Sequence, residues 1–132
     1  MIESLHERLQ LIERNPQSIA NIEEPTEDEQ LLAVNDDPTS IQFIKHPTIL
    51  AQQTAVELDP TTIRFFHKTA AYNIRKLTLE IDPKVIKYLS DSTEEEQKFV
   101  ISQSRNYYRH IPNRSWKTWM WQLLMWYKPL WI

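Results

Sequence analysis

The chain has 132 residues, eight of them proline, and contains neither glycine nor cysteine. Without glycine it has no glycine-rich phosphate loop, dinucleotide-binding fingerprint or glycine-type hairpin turn, and without cysteine it has no disulfide, cysteine-ligated zinc or thiol catalysis. The net charge is −3, but residues 1–37 hold ten acidic and two basic side chains, whereas residues 38–132 hold eight acidic and thirteen basic ones. Together, length and composition favour one helical domain over residues 1–132.

The N-terminal segment, residues 1–14, predicts a cap helix and not a secretory signal. Ile2, Leu5, Leu9 and Ile12 lie along one stripe of this helix, and charged residues interrupt any longer apolar run. At the other end, the aromatic stretch 116–132 has only 17 residues and is broken by polar ones, whereas a helix that spans a bilayer needs about 20 apolar residues. We therefore expect a cytoplasmic protein, with a membrane as the least favoured partner.

An internal repeat organises the middle of the chain. Four prolines, each preceded by Asn or Asp, are spaced 22, 22 and 23 residues apart, and a fifth copy has Arg105 in the proline position. Asn or Asp caps a helix, and proline is tolerated at its first position. Each copy predicts a short helix of about eight residues, α or partly 3₁₀, with apolar residues three and six after the proline position. These pairs are Ile19/Ile22, Ile41/Ile44, Ile63/Phe66, Ile86/Leu89 and Tyr108/Ile111.

The second half of each repeat predicts a longer helix, of about twelve residues. Thr26 with Glu29, and Ser92 with Glu95, have the spacing of a capping box. Neither helix of a repeat is long enough to be stable alone, so stacking on neighbouring repeats must supply the burial. The apolar residues expected at these contacts are Leu31, Val34, Ala51, Ala55, Val56, Leu77, Leu79, Phe99 and Val100.

The predicted fold class is therefore all-α, a small α-solenoid of about five two-helix repeats of 22 residues. The N-terminal cap helix occupies residues 1–14, the repeats occupy residues 15–111, and a Trp-rich capping helix with its tail occupies residues 112–132.

The repeats resemble the short helical repeats called domain of unknown function 4116, which occur in bacterial and bacteriophage proteins. The resemblance covers about residues 15–111 and is carried best by Pro25-Thr26 through Gln30, Ala33 and Val34, and by Asp37-Pro38 with Ile41 and Ile44. The family often has Asn-Gly where this chain has Asn-Pro or Asp-Pro. The resemblance implies a helical repeat, a bacterial or phage origin and a setting in a bacterial or phage-infected cell, but it implies no catalytic residues.

Candidates for chemistry are few. His46 and His67 occupy nearly equivalent repeat positions, but no further metal ligands accompany them at a ligand spacing. The acidic run Glu23–Glu29 stands at the start of a helix, where negative charge is favourable, although a cation site or a nucleic-acid mimic is an alternative. No nucleophile stands beside a base. We expect no enzyme activity, no metal and no cofactor.

The region from Lys98 to Trp126 is the best candidate for a binding surface. Its mixture of aromatic and cationic side chains is typical of phosphate-tracking, base-stacking surfaces, and it is equally typical of protein interaction hot spots. A capping helix with solvated basic residues is the structural alternative. The partner-binding candidates are Arg105, Tyr107, Tyr108, Arg109, Arg114, Trp116, Lys117, Trp119, Trp121 and Met125.

The predicted helix 115–127 is apolar nearly all round. A wide stripe is formed by Trp116, Trp119, Met120, Leu123, Trp126 and Tyr127, while Trp121, Leu124 and Met125 point elsewhere. A terminal repeat should be polar outside, so something should cover this helix: residues 129–132, a second copy of the chain, a partner protein or a membrane interface. Three functions follow. The first is a non-enzymatic module that binds and modulates a host or defence protein, with inhibition as one form of modulation. The alternatives are a nucleic-acid binder that uses the basic, aromatic C-terminal region and an assembly protein that self-associates through the Trp-rich tail.

Overall fold

The computed structural model describes residues 4–126. This part of the chain is entirely helical, without a β-strand, which confirms the all-α prediction. Contacts divide the chain into two compact units, residues 1–75 and residues 76–132, and each unit is described by itself. None of the helices between residues 4 and 126 is long and apolar enough to cross a membrane.

Two kinds of helix alternate along the chain. The longer ones are α1 (Leu5–Arg14), α2 (Glu27–Asp36), α3 (Ile49–Leu58), α4 (Tyr72–Ile81), α5 (Glu94–Gln103) and α6 (Trp116–Trp126). The shorter ones are six-residue 3₁₀ helices: η1 (Pro16–Asn21), η2 (Pro38–Phe43), η3 (Pro60–Phe65), η4 (Pro83–Tyr88) and η5 (Arg105–His110). The two-helix repeat is thus confirmed, with a 3₁₀ short helix. Within each unit, successive helices of the same kind pack together, as α2 does on α3 and η4 on η5.

Each 3₁₀ helix begins at a side-chain cap. Asn15, Asp37, Asp59 and Asp82 accept a hydrogen bond from the backbone N–H two residues on, and Ser104 does the same in the copy without proline. The first three caps also end the preceding α-helix in an extended conformation. Within residues 4–126 no residue has a positive φ, so these helix ends do not need the left-handed cap that glycine usually supplies.

One of the two predicted capping boxes is confirmed, and the other is shifted by one residue. Thr26 and Glu29 form the expected reciprocal pair at the start of α2. The prediction of a second box at Ser92 and Glu95 is wrong by one residue, because the N-cap of α5 is Thr93, which pairs with Glu96. Ser92 stands at the position of Pro25 in its repeat, so the cap follows it, as Thr26 follows Pro25. The hydroxyl of Ser92 instead donates to Oδ1 of Asn113 at 2.8 Å.

The predicted apolar positions supply most of the core. In residues 4–75 the buried side chains include Ile12, Ile19, Val34, Ile41, Ala55, Val56 and Ile63; in residues 76–126 they include Leu79, Ile86, Leu89, Val100, Ile101 and Ile111. Among the predicted pairs, only Ile22 and Tyr108 are merely half-buried. The stripe predicted for the first helix is only partly buried, because Leu5, in its first turn, remains 54% exposed, and Ile2 lies outside the described residues.

A glutamine at the same place in three repeats ties each repeat together. Gln30, Gln52 and Gln97 donate from Nε2 to the backbone oxygens of Pro25, Pro47 and Ser92, at 3.1, 3.1 and 3.2 Å. Oε1 of Gln30 also accepts the N–H of Thr48 in the next repeat, at 2.9 Å. This glutamine therefore links two successive repeats.

Gln52 lacks that second link. Its Oε1 is buried without a hydrogen-bond partner. In the following repeat the residue just before the α-helix, equivalent to Thr48, is Ala71, whose backbone oxygen accepts the N–H of Arg75 at 3.1 Å as the oxygen of Thr48 accepts that of Gln52.

A buried ion pair joins α1 to α2. Glu29 is fully buried, and its Oε1 accepts from the Arg8 guanidinium at 2.8 Å as well as from the N–H of Thr26 at 3.1 Å. Because the same carboxylate caps α2 and binds α1, removal of the arginine would leave a buried charge with only its capping contacts.

Candidate interaction surface on helix α6

Helix α6 is hydrogen-bonded near both of its ends to α5, the preceding α-helix of its unit. The hydroxyl of Thr118, in the first turn, donates to Oε1 of Gln97 at 2.6 Å. The indole N–H of Trp126, at the last residue, donates to the backbone oxygen of Ile101 at 2.8 Å. Because first turn meets first turn and last turn meets last turn, α5 and α6 run in the same direction.

The start of α6 has its own reciprocal cap. Oγ of Ser115 accepts from the N–H of Thr118 at 3.3 Å, and Oγ1 of Thr118 accepts from the N–H of Ser115 at 3.2 Å. The hydroxyl of Thr118 therefore both accepts from the N–H of Ser115 at the start of α6 and donates to Gln97. Among residues 116–126, Thr118 is the only buried one.

The apolar stripe of α6 exists, but it points outward. Trp116 is 69% exposed, Trp119 55% and Leu123 43%. The side of the helix that faces α5 instead carries Thr118, whose small hydroxyl side chain bonds to Gln97. We call the exposed side chains Trp116, Trp119, Leu123 and Leu124 the outer face of α6.

Two of the candidate residues placed off the stripe differ in their surroundings. Trp121 is half-buried, and the ammonium of Lys98 lies 4.3 Å from the centre of its ring. Trp121 therefore lies on the side of α6 that faces α5. Met125 remains exposed. Tyr127 of the predicted stripe and the residues 129–132 proposed to fold back over it lie outside the described residues.

A small groove adjoins the outer face. It has a volume of about 80 Å³ and is lined by Arg105, Gln122, Leu123 and Trp126. The groove combines one cation with two apolar side chains, and no carboxylate lines it. Such a site can accept an acidic group that is flanked by apolar ones.

The remaining candidates do not join this surface into one basic, aromatic strip. The guanidinium of Arg114 lies 5.1 Å from the ring centre of Tyr108. Tyr107 and Arg109 line a separate depression that also includes Lys84. Lys98, Arg105 and Arg109 therefore lie in three different surroundings, and each of these basic residues has its own neighbours.

The cations near α6 are mostly without an acidic partner. Lys117 reaches Glu94 at 3.3 Å, and both side chains are well exposed, so this pair adds little stability. Within residues 4–126, Arg105, Arg109 and Arg114 form no ion pair. These three arginines are therefore not neutralised by a carboxylate within the described part of the chain.

No metal site accompanies these features in the part of the chain that is described, because no three of its acidic or histidine side chains converge. His46 is exposed and His67 is half-buried, each in the turn after its 3₁₀ helix. The acidic run beginning at Glu23 leads into α2, where its last member is the buried Glu29.

Three residues that position α6 were not among the predicted site residues. Gln97 and Asn113 share a hydrogen-bond cluster with Ser92, and Thr118 completes it from α6. One signal for Gln97 is present in the sequence, because Gln30, Gln52 and Gln97 all stand five residues after the same repeat position.

Searches of protein-family models, curated proteins and solved structures find no match to this chain. The resemblance to the repeats of domain of unknown function 4116 therefore stays a prediction.

Proposed function

We propose that this protein is a non-enzymatic interaction module that binds another protein through the outer face of α6. The observation that carries the proposal is the exposure of that face. Trp116 and Trp119 are 69% and 55% exposed. Since a tryptophan can bury up to about 250 Å², their exposed parts amount to roughly 300 Å², which reaches the size of the largest apolar patches on ordinary monomers.

The charges beside the outer face indicate the chemistry of the partner. Arg105 lines the groove next to Leu123 and Trp126, and Arg114 stands two residues before the first tryptophan of the helix. Neither arginine has an acidic partner within residues 4–126. A partner surface with apolar anchors and at least one carboxylate would bury the tryptophans and pair with Arg105.

A twofold contact between two copies of the chain fits these charges less well. It would bring the unpaired arginines beside two equal apolar faces close to one another, and like charges at an interface are unfavourable. We therefore place a different protein on this face. If the chain is a bacterial or phage accessory protein, as its repeats suggest, that protein is a host or defence component, and binding would inhibit it by occupying its surface.

The test is affinity capture from the native cells with the full chain and single variants. Trp119→Ser and Leu123→Ser remove anchors from the outer face, and Leu58→Ser is the matched control because Leu58 is a similarly exposed leucine at the end of α3. Arg105→Gln removes the groove cation, with Arg14→Gln as its control. We expect both anchor variants and Arg105→Gln to lose the captured protein, while both controls keep it.

Two outcomes would contradict the proposal. One is a captured protein that Leu58→Ser loses as readily as Leu123→Ser. The other is a chain that sediments as a dimer at micromolar concentration and becomes a monomer in Trp119→Ser, which would assign the outer face to self-association.

A further inference from the structure

A second concave site lies between the 3₁₀ helices η4 and η5, apart from the outer face of α6. It is an open depression with a volume of about 340 Å³, at the lower end of the range for small-molecule sites. The lining residues all carry a polar side-chain atom: Lys84, Ser104, Asn106, Tyr107, Arg109 and His110. No aliphatic side chain and no carboxylate is among them.

The charge of this depression is one-sided. Lys84 belongs to η4 and Arg109 to η5, so packing of the two short helices brings the ammonium and the guanidinium to one concavity. Neither forms an ion pair within residues 4–126. The carboxylate nearest in sequence, Asp82, is occupied as the cap of η4, where it accepts the backbone N–H of Lys84 at 3.0 Å.

Neutral donors complete the lining. Oγ of Ser104 already accepts from the N–H of Asn106 at 3.3 Å, which leaves its O–H to donate outward. The amide of Asn106 and the phenol of Tyr107 add donors, and the Tyr107 ring lies 6.3 Å from that of His110. Two cations surrounded by neutral donors suit an anion with several oxygen acceptors.

We propose that this depression binds a phosphate ester, with Arg109 and Lys84 neutralising its charge and Ser104, Asn106 and Tyr107 donating to its oxygens. A guanidinium can bind two phosphate oxygens at once, and an ammonium acts as a point charge. The phosphate can belong to a nucleotide or to the backbone of a nucleic acid, and the two sources are distinguished by the probes below.

The test is an NMR titration of the full chain with adenosine 5′-monophosphate, with adenosine, and with a short oligothymidylate. We expect the two phosphorylated probes to shift the amide signals of residues 104–110, and adenosine to shift none. Lys84→Gln and Arg109→Gln should each weaken binding by about tenfold, since each removes one charge-assisted contact. Both side chains are exposed, so both variants should keep their thermal stability.

The matched control is Lys87→Gln. Lys87 lies in the same short helix as Lys84 and carries the same charge, but its ammonium lies 5.0 Å from the ring centre of Tyr88 and does not line the depression. This variant should bind as the parent chain does. Binding of the mononucleotide assigns a nucleotide site, and binding of the oligonucleotide alone assigns a nucleic-acid backbone site. The proposal is overturned if neither binds, if adenosine binds as well as its phosphate, or if Lys87→Gln weakens binding as much as Lys84→Gln.

Discussion

The hydroxyl of Thr118 donates a hydrogen bond to Oε1 of Gln97 at 2.6 Å, and this bond sets which side of α6 faces α5. Gln97 occupies the same repeat position as Gln30. Oε1 of Gln97 accepts from the hydroxyl of Thr118, whereas Oε1 of Gln30 accepts from the N–H of Thr48. With that side occupied by a hydroxyl, Trp116, Trp119 and Leu123 are left on the outside. The exposure of the outer face is thus a consequence of how the repeat is hydrogen-bonded.

The first prediction concerns that bond. Thr118→Val keeps the shape of the side chain but leaves Oε1 of Gln97 and the N–H of Ser115 without this partner. Because the bond between Gln97 and Thr118 is buried, we expect the free energy of unfolding to fall by about 1–3 kcal/mol. Thr118→Ser keeps the hydroxyl and should lose less. Denaturant unfolding of both variants measures the difference, and equal losses would show that the hydroxyl is not what holds α6.

The second prediction compares two glutamines of the repeat. Gln30→Leu removes the partners of the Pro25 oxygen and of the Thr48 N–H, whereas Gln52→Leu removes only the partner of the Pro47 oxygen, since Oε1 of Gln52 has none to lose. Gln30→Leu should therefore be less stable than Gln52→Leu by about 1 kcal/mol. Thermal and denaturant unfolding report this order, which the reverse ranking would refute.

The third prediction concerns the ion pair between Arg8 and the fully buried Glu29. Arg8→Met leaves the carboxylate without its cation, and we expect a loss of about 3 kcal/mol. Arg14→Met removes an exposed arginine from the same helix and should cost about 0.5 kcal/mol or less. Similar unfolding midpoints for the two variants would mean that the buried pair does not stabilise the contact between α1 and α2.

The fourth prediction tests the orientation of α6 through two of its tryptophans. Trp119→Ser removes a ring from the outer face and should change stability by about 0.5 kcal/mol or less. Trp121→Ser removes a half-buried ring together with its contact to Lys98, and should cost about 1–2 kcal/mol. Urea unfolding gives both values. If Trp119→Ser is the more destabilising, the stripe faces inward and the proposed surface does not exist.

Much of the fold follows from the sequence because each repeat carries its own start signals. The residues before the prolines cap the 3₁₀ helices, and Ser104 does so where proline is replaced by Arg105. The apolar residues three and six positions after each proline position are half-buried or buried. Their spacing alone predicts this, because residues three apart lie on one side of a short helix. One cap was misplaced, at Ser92, because two neighbouring hydroxyl residues compete for the role.

The face of α6 could not be predicted in the same way. Periodicity locates an apolar stripe on a helix, but it does not say whether a neighbouring helix lies against that stripe. Which side of α6 faces α5 depends on a hydrogen bond between residues 97 and 118, which lie 21 positions apart. It depends also on a small threonine among bulky aromatic residues. The separation of Arg105 from Arg109 likewise depends on packing, because the two arginines face different helices.

The most direct test of the central proposal is photo-cross-linking from position 119. A photoreactive amino acid replaces Trp119 on the outer face in one variant and Leu58 on α3 in the control, and both are irradiated in the native cells. The proposal predicts a covalent adduct from position 119, absent from position 58, in which the cross-linked segment belongs to a different protein and contains apolar and acidic residues. An adduct of two copies of this chain, or the same adduct from both positions, would contradict it.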